Sequence, residues 1–250
     1  MLLNDHEAIL FNPATLHSNC LWPETDTAVV WHFDLSGFAE TQEILMTLLT
    51  SGEQERARTF ATETLRRRFI VGRGLLRSLL AAYYRTDPKE LHLSYGPYGK
   101  PELDTNRYRP CLAFNLAHSE DQALLAIASS GQIGVDLEIK RPLRDLDGLV
   151  AQVCSDIELK HLHRLSETEK ETAFYRLWVR KEALLKASGL GLQIDPRVCE
   201  LTAEGDIATL PEALQAFRSY RIHDGIMEPT IASAVVLAPE VGKIIAMRLS

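Results

Sequence analysis

Two short stretches of this chain hold acids and bases at spacings that let them act together. Ile133-Gly134-Val135-Asp136-Leu137-Glu138 carries two carboxylates two residues apart, and Trp178-Val179-Arg180-Lys181-Glu182-Ala183-Leu184-Leu185-Lys186 follows about 45 residues later. The first is apolar on both flanks and reads as a buried strand. Side chains at i and i+2 of a strand share a face, so Asp136 and Glu138 point together while Val135 and Leu137 turn into a core. The second reads as a helix, where Glu182 and Lys186 lie four apart on one face. Three carboxylates and a lysine are what a magnesium ion and a phosphate ester require. Two like charges on a buried strand are costly unless compensated, and a hard divalent cation is the natural compensation. Taken singly the motifs are bland: an Asp-x-Glu pair often faces solvent, and Glu182–Lys186 reads as a surface helix pair.

The elements that must position these residues follow from periodicity. Thr27–Leu35 reads as a strand, Leu45–Leu49 and Glu53–Thr59 as short helices, and Leu65–Tyr84 as a long helix with apolar residues at helical spacing. Gly72 and Gly74 cost that helix about 1 kcal/mol each relative to alanine, which points to close approach of another backbone or a ligand. Leu91–Tyr95 reads as a strand ending in the turn Gly96-Pro97-Tyr98-Gly99-Lys100-Pro101, and Cys111–Ser119 with Ala123–Ala128 as a hairpin around Glu120-Asp121-Gln122. Ser129-Ser130-Gly131-Gln132 is the best internal break. Beyond it, Leu146–Val153, Ile157–Leu165 and Glu169–Ser188 read as helices. Val198–Leu201, Ser219–Ile222, Ile231–Leu237 and Ile244–Leu249 read as strands. Arg73-Gly74-Leu75-Leu76-Arg77 and Glu182-Ala183-Leu184-Leu185-Lys186 share a charged-small-Leu-Leu-basic pattern, each within a long helix preceded by a strand. That spacing fits a duplicated α+β unit with a site between its halves.

Composition narrows the function classes. The 250 residues are 46% hydrophobic and 24% charged, ordinary for a soluble globular protein. No apolar run is long enough to cross a bilayer. Met1-Leu2-Leu3-Asn4-Asp5-His6-Glu7 lacks the basic-then-apolar pattern of a secretory signal. Cys20, Cys111, Cys154 and Cys199 are scattered, with no CxxC pair, so reduced thiols and a cytoplasmic location are expected. The net charge of −7 argues against a general nucleic-acid binder. Residues 56–85, however, hold eight arginines against the single Glu63, +7 in that stretch. It is either a local surface for an anionic ligand or acidic partner, or a solvated face paired with surrounding acids. Other chemistries fail. His118-Ser119 ends a strand with no acid partner in view, there is no G-x-S-x-G elbow and no Walker sequence, and Gly189-Leu190-Gly191 reads as a helix stop. His161 and His163 lie on opposite sides of a helix.

Together the segments resemble the Sfp-type (surfactin-type) 4′-phosphopantetheinyl transferase family. The resemblance rests on Arg67-Arg68-Phe69 through Leu75-Leu76-Arg77, Tyr98-Gly99-Lys100-Pro101, Phe114-Asn115-Leu116-Ala117-His118-Ser119, Ile133 to Glu138, and Phe174 to Lys186, in the family's order. It implies transfer of phosphopantetheine from coenzyme A to a serine of an acidic acyl or peptidyl carrier protein, releasing adenosine 3′,5′-bisphosphate. It implies an α+β pseudodimer of two similar halves, 1–130 and 131–250, each an antiparallel sheet with a long helix, and coenzyme A held between them. By matching positions, Asp136, Glu138 and Glu182 would bind magnesium, and Lys186 would contact the phosphates. Arg68, Lys100 and His118 would hold the nucleotide end, with Tyr98, Gly99, Pro101, Ser119 and Arg56 beside them. Glu158 matches a further acidic position near the site. Ala117 departs from the family, which usually has serine there, so one hydroxyl contact to coenzyme A is lost. Arg56 is the better match of an upstream basic pair that is only half present.

A serine nucleophile needs a base, and Glu182 is the first choice with Glu138 second. The expectation is a monomeric, magnesium-dependent transferase that engages neither nucleic acid nor membrane. The alternatives are a magnesium-dependent phosphohydrolase acting on coenzyme A or a nucleotide, and a non-catalytic coenzyme A-binding module. The module reading predicts loss of at least one metal acid, and all three are present.

Overall fold

The computed structural model describes residues 22–250 together with Ala8, Ile9, Phe11, Leu16 and Cys20. The Met1–Glu7 stretch considered for a secretory signal lies outside the described residues. The first half runs through strands β1 (Ala8–Ile9) and β2 (Thr27–Asp34), then helices α1 (Gln42–Thr47), α2 (Ser51–Arg58) and α3 (Glu63–Tyr84). Strands β3 (Leu93–Tyr95), β4 (Pro101–Leu103), β5 (Ala113–Ser119) and β6 (Gln122–Ala128) complete it. The second half opens with β7 (Gly134–Ile139), followed by α4 (Leu146–Val153), α5 (Asp156–Leu162) and α6 (Glu167–Ser188). It closes with β8 (Glu200–Leu201), β9 (Ile207–Thr209), β10 (Arg221–Asp224), β11 (Ile231–Leu237) and β12 (Lys243–Leu249). Among the described residues no helix is long and apolar enough to cross a membrane.

The fold is α+β, as expected, with one difference in strand direction. The main sheets run β1-β12-β2-β6-β5 and β10-β11-β7. The second is antiparallel throughout. The first is mixed, because β12 pairs parallel with both β2 and β1. That strand comes from the end of the chain, so the first sheet draws on residues from both sides of position 130.

Each long helix is held by end signals that the sequence supplies. Thr62 caps α3, its side chain accepting from Leu65 N, and Arg85 ends it in the left-handed conformation. Ser166 and Glu169 form a capping box at the start of α6, and Gly189, at φ +75°, stops it. The Gly189-Leu190-Gly191 reading as a helix stop is thus correct.

The layers stack helix, sheet, sheet, helix. Leu75, Leu76, Leu79 and Leu80 of α3 pack on Trp31, Phe33, Phe114, Leu125 and Ile127. The opposite face of that sheet, with Val30, Leu124 and Ala126, packs on Val135, Leu137, Val235 and Leu237 of the second. Ala183, Leu184 and Ala187 of α6 then cover Ala232, Ala234 and Val236. Full burial of each large aliphatic side chain contributes roughly 1.5–3 kcal/mol. Edge strands β5 and β7 lie side by side where the sheets meet. No strand ladder joins them; the Asn115 side chain accepts from Val135 N at 2.8 Å instead.

Candidate active site

Gly134, Asp136 and Glu138 alternate onto the face of β7 that meets α6. Gly134 sets how close the two can come. A Cβ at that position would stand 2.0 Å from Ala183 O and 2.5 Å from Ala187 N. With only hydrogen there, and alanines opposite, the helix lies directly on the strand and closes over the next residue of that face. Asp136 is consequently 4% exposed, and Glu182 on the helix 9%.

The two carboxylates are incompletely partnered. Asp136 Oδ1 accepts from Lys186 Nζ at 2.6 Å, while its buried Oδ2 has no partner. Glu182 Oε1 is buried and likewise without one. Burial pushes the Asp136 carboxyl up to about 7; Lys186 opposes that shift, and the charges of Glu138 and Glu182 add to it. Burial also raises Glu182, again opposed by Lys186 and reinforced by Glu138. The four groups therefore share one field, as the strand-plus-helix spacing suggested. Glu138 is half-buried, and its Oε2 accepts from Ser119 Oγ at 2.8 Å.

Buried carboxylate oxygens lacking a donor are costly, and a hard oxygen set of this kind suits magnesium or calcium. Among the described residues no three His, Cys, Asp or Glu side chains are gathered as a ready-made metal cluster. Lys186 holds one Asp136 oxygen. The open positions are Asp136 Oδ2 and Glu182 Oε1, with Glu138 next to them on the strand.

The first half brings some of its expected residues to this site and commits others to structure. His118 is lowered by desolvation and then by the positive charges of Lys186 and Arg68, with Glu138 and Asp121 opposing. It therefore stands between the acid cluster and the arginine-rich helix. The Arg68 guanidinium makes a forked pair with Asp121, Nε to Oδ1 at 3.0 Å and the second arm to Oδ2 at 3.1 Å, and Arg67 joins at 3.1 Å. Lys100 reaches across to the second half, donating to Ala187 O at 3.0 Å, Ile133 O at 3.3 Å and Gln132 Oε1 at 3.4 Å. Burial there pushes its ammonium down to about 8. Tyr98 is exposed on its turn, Gly99 takes φ +84°, and Pro101 opens β4. Arg56 is not with this group; its guanidinium lies 5.4 Å from the Phe69 ring centre, near Arg73 and Tyr95. Most of the basic stretch is internally paired: Arg58 with Glu55, Arg66 with Glu63, Arg67 and Arg68 with Asp121, Arg73 and Arg77 with Glu53.

Matches to known proteins give the chain a family. Residues 37–130 match the 4′-phosphopantetheinyl transferase N-terminal family and residues 132–233 the 4′-phosphopantetheinyl transferase superfamily. The 4′-phosphopantetheinyl transferase HetI of Nostoc sp. is 34% identical over 86% of this chain and 89% of its own length. The chain belongs to the 4′-phosphopantetheinyl transferase superfamily. A putative 4′-phosphopantetheinyl transferase of Synechocystis sp. is 38% identical over 58% of each chain. The transferase Sfp of Bacillus subtilis is 29% identical over 62% of this chain and 66% of its own.

Within this transferase fold, Glu158 serves a purpose that the sequence reading missed. It closes a capping box with Ser155 and accepts from Lys181 Nζ at 2.5 Å and from Leu201 N at 2.9 Å. It is an anchor on the far side of α6 and not a member of the acid cluster. Its counterpart is Glu53, in a capping box with Thr50 and bonded to Arg77 Nε at 2.6 Å. Gly134, Asn115 and Asp121 were also missed as site-forming residues. A glycine two positions before Asp136, hence on its face, was the one legible signal for the first.

Proposed function

We propose that this transferase moves the 4′-phosphopantetheine group of coenzyme A onto a serine of an apo acyl or peptidyl carrier protein, with magnesium, releasing adenosine 3′,5′-bisphosphate. The observation that carries this is the pair of buried carboxylate oxygens without donors, Asp136 Oδ2 and Glu182 Oε1, on the packed faces of β7 and α6. Asp136, Glu138 and Glu182 would hold the magnesium, which when bound neutralises charge building on the pyrophosphate oxygens. The serine oxygen forms a bond to the β-phosphorus as the bond from that phosphorus to the bridging oxygen breaks, and the electron pair leaves with the nucleotide phosphate. Lys186, in contact with Asp136, supplies a cation for the phosphate oxygens. Glu182, on the helix face that meets β7, takes the serine proton directly or through water, with Glu138 as the second choice. Arg68, held by Asp121, and His118, near Glu138, bind the nucleotide end with Lys100 and the Tyr98-Gly99-Lys100-Pro101 turn. The enzyme acts as a monomer in the cytoplasm, and the carrier is acidic around its serine.

The test is to incubate the protein with coenzyme A, magnesium and an apo carrier and to weigh the intact carrier. A gain of one phosphopantetheine is expected. An unchanged carrier with coenzyme A cleaved would point to a phosphohydrolase. Asp136→Ala should lose transfer by about a thousandfold or more, since a metal supplies several kcal/mol to such a step. Full activity in that variant would sink the metal assignment.

A further inference from the structure

Resting on that reading, we infer that Ser119 is a positioning residue for Glu138, by which the first half aims a metal-binding acid of the second. Three observations carry it. Edge strands β5 and β7 lie side by side with no ladder between them, so β7 gets no backbone guidance along that edge. Side chains take over at two points. Asn115 Oδ1 accepts from Val135 N at 2.8 Å, fixing the register just before Asp136. Four residues on, Ser119 Oγ accepts from Ile139 N at 3.4 Å and donates to Glu138 Oε2 at 2.8 Å. A hydroxyl has one proton and two lone pairs, and here its proton is spent on the carboxylate. Held this way, Glu138 keeps Oε2 turned to the seam and its other oxygen available, the arrangement that outer partners of a metal acid impose. The sequence resemblance put Ser119 among the coenzyme A contacts; this geometry gives it to the acid instead.

The experiment compares wild type, Ser119→Ala and Ser119→Thr in the full-length protein. Binding of Mn2+, as a spin probe for the metal site, is followed by electron paramagnetic resonance in the presence of coenzyme A. Transfer kinetics are measured alongside. Loss of an outer partner of a metal ligand typically weakens metal binding 10–100-fold. Ser119→Ala should therefore weaken Mn2+ by about tenfold or more and lower kcat, leaving KM for coenzyme A within about twofold. Ser119→Thr, which keeps the hydroxyl, should recover most of the affinity. In a Glu138→Ala background, Ser119→Ala should add nothing. A raised KM for coenzyme A with unchanged Mn2+ binding would overturn the inference and return Ser119 to the donor. Equal losses in the alanine and threonine variants would overturn it too. A carrier left unmodified by the wild type, with the Mn2+ losses still following this pattern, would overturn the transferase reading alone.

Discussion

The two halves place a 22-residue helix over a sheet in different ways. In the first, α3 stands off its sheet on a layer of Trp31, Phe33, Phe114, Leu125 and Ile127, all buried. In the second, α6 lies on Gly134, Ala232 and Ala234 through Ala183 and Ala187. Large side chains make a dry hydrophobic spacer; small ones bring backbone to backbone. Only the second arrangement can enclose Asp136 between strand and helix while leaving one of its oxygens without a donor. The matching positions also diverge in chemistry. Where α6 carries Glu182 and Lys186 toward β7, the same pattern in α3 carries Arg73 and Arg77, both turned to Glu53. A duplicated frame thus holds one chemical face and one structural face, and helix height over the sheet separates them.

The most severe way to break this contrast is to raise the helix. Gly134→Ala would push its Cβ into Ala183 O and Ala187 N. Because both obstacles are backbone, relief requires α6 to move. We expect a loss of at least about 3 kcal/mol in stability, at the upper end of overpacking costs, and no measurable transfer. Gly72→Ala in α3 is the control: its Cβ would meet only Leu35 Cδ2, at 3.8 Å. There, the gain in helix propensity should leave stability unchanged or up to about 1 kcal/mol higher. Urea denaturation of both variants checks the pair, and equal losses would end the argument from helix height.

How far this was legible in the sequence follows from the same contrast. The strand and helix carrying Asp136, Glu138, Glu182 and Lys186 were readable because their apolar flanks and i+2 and i+4 spacings are local properties. The helix ends, the β5–β6 hairpin and the α+β class were readable for the same reason. Long-range pairings were not. Nothing in Lys243–Leu249 says that it pairs parallel with β2, and nothing near Arg68 names Asp121, some 50 residues on, as its partner. Glu158 matched by motif position, yet its own capping box with Ser155 was the local signal that it faced elsewhere.

The two halves agree in one feature, and it can be tested from both sides. The capping-box glutamates of the two short helices α2 and α5 are each buried against a base of the following long helix: Glu53 with Arg77, which also donates to Pro88 O and Leu91 O, and Glu158 with Lys181, which also donates to Val153 O and Pro196 O. Removing one partner of a buried pair leaves the other charge uncompensated, at about 3–5 kcal/mol. Arg77→Met and Lys181→Met should each lower stability by that order in chemical denaturation. They should differ in activity of the folded fraction: Arg77→Met retains it, while Lys181→Met, which frees the helix turn carrying Glu182, loses much of kcat. Equal kcat in both would show that the anchor holds the fold without aiming the site.

The gentlest test asks what the close approach of α6 costs in the absence of metal. Asp136 ionises near 3.8 in the unfolded chain and near 7 when folded, because burial outweighs its contact with Lys186. An acid whose folded pKa is raised holds its proton more tightly in the native state. Native stability is therefore penalised fully above about pH 7, and the penalty fades as pH falls toward 3.8. At about 1.4 kcal/mol per pKa unit, the ceiling is about 4 kcal/mol. In metal-free protein, Asp136→Asn should accordingly be more stable than wild type at pH 8, by no more than that ceiling. The difference should shrink steadily through pH 6 and vanish near pH 4, as read from urea midpoints at each pH. Glu53, the buried acid of the first half, is held by Arg77 and the Thr50 backbone, so Glu53→Gln should lack this pattern: burial raises its pKa, but those bonds and the charges of Arg77 and Arg73 outweigh it and leave Glu53 lowered. Its removal should cost stability at pH 8 and cost less as pH falls below the ordinary glutamate range. Opposite signs from two buried acids in one chain would place the stored cost where α6 closes over Asp136; like signs would leave the height of α6 without an electrostatic consequence.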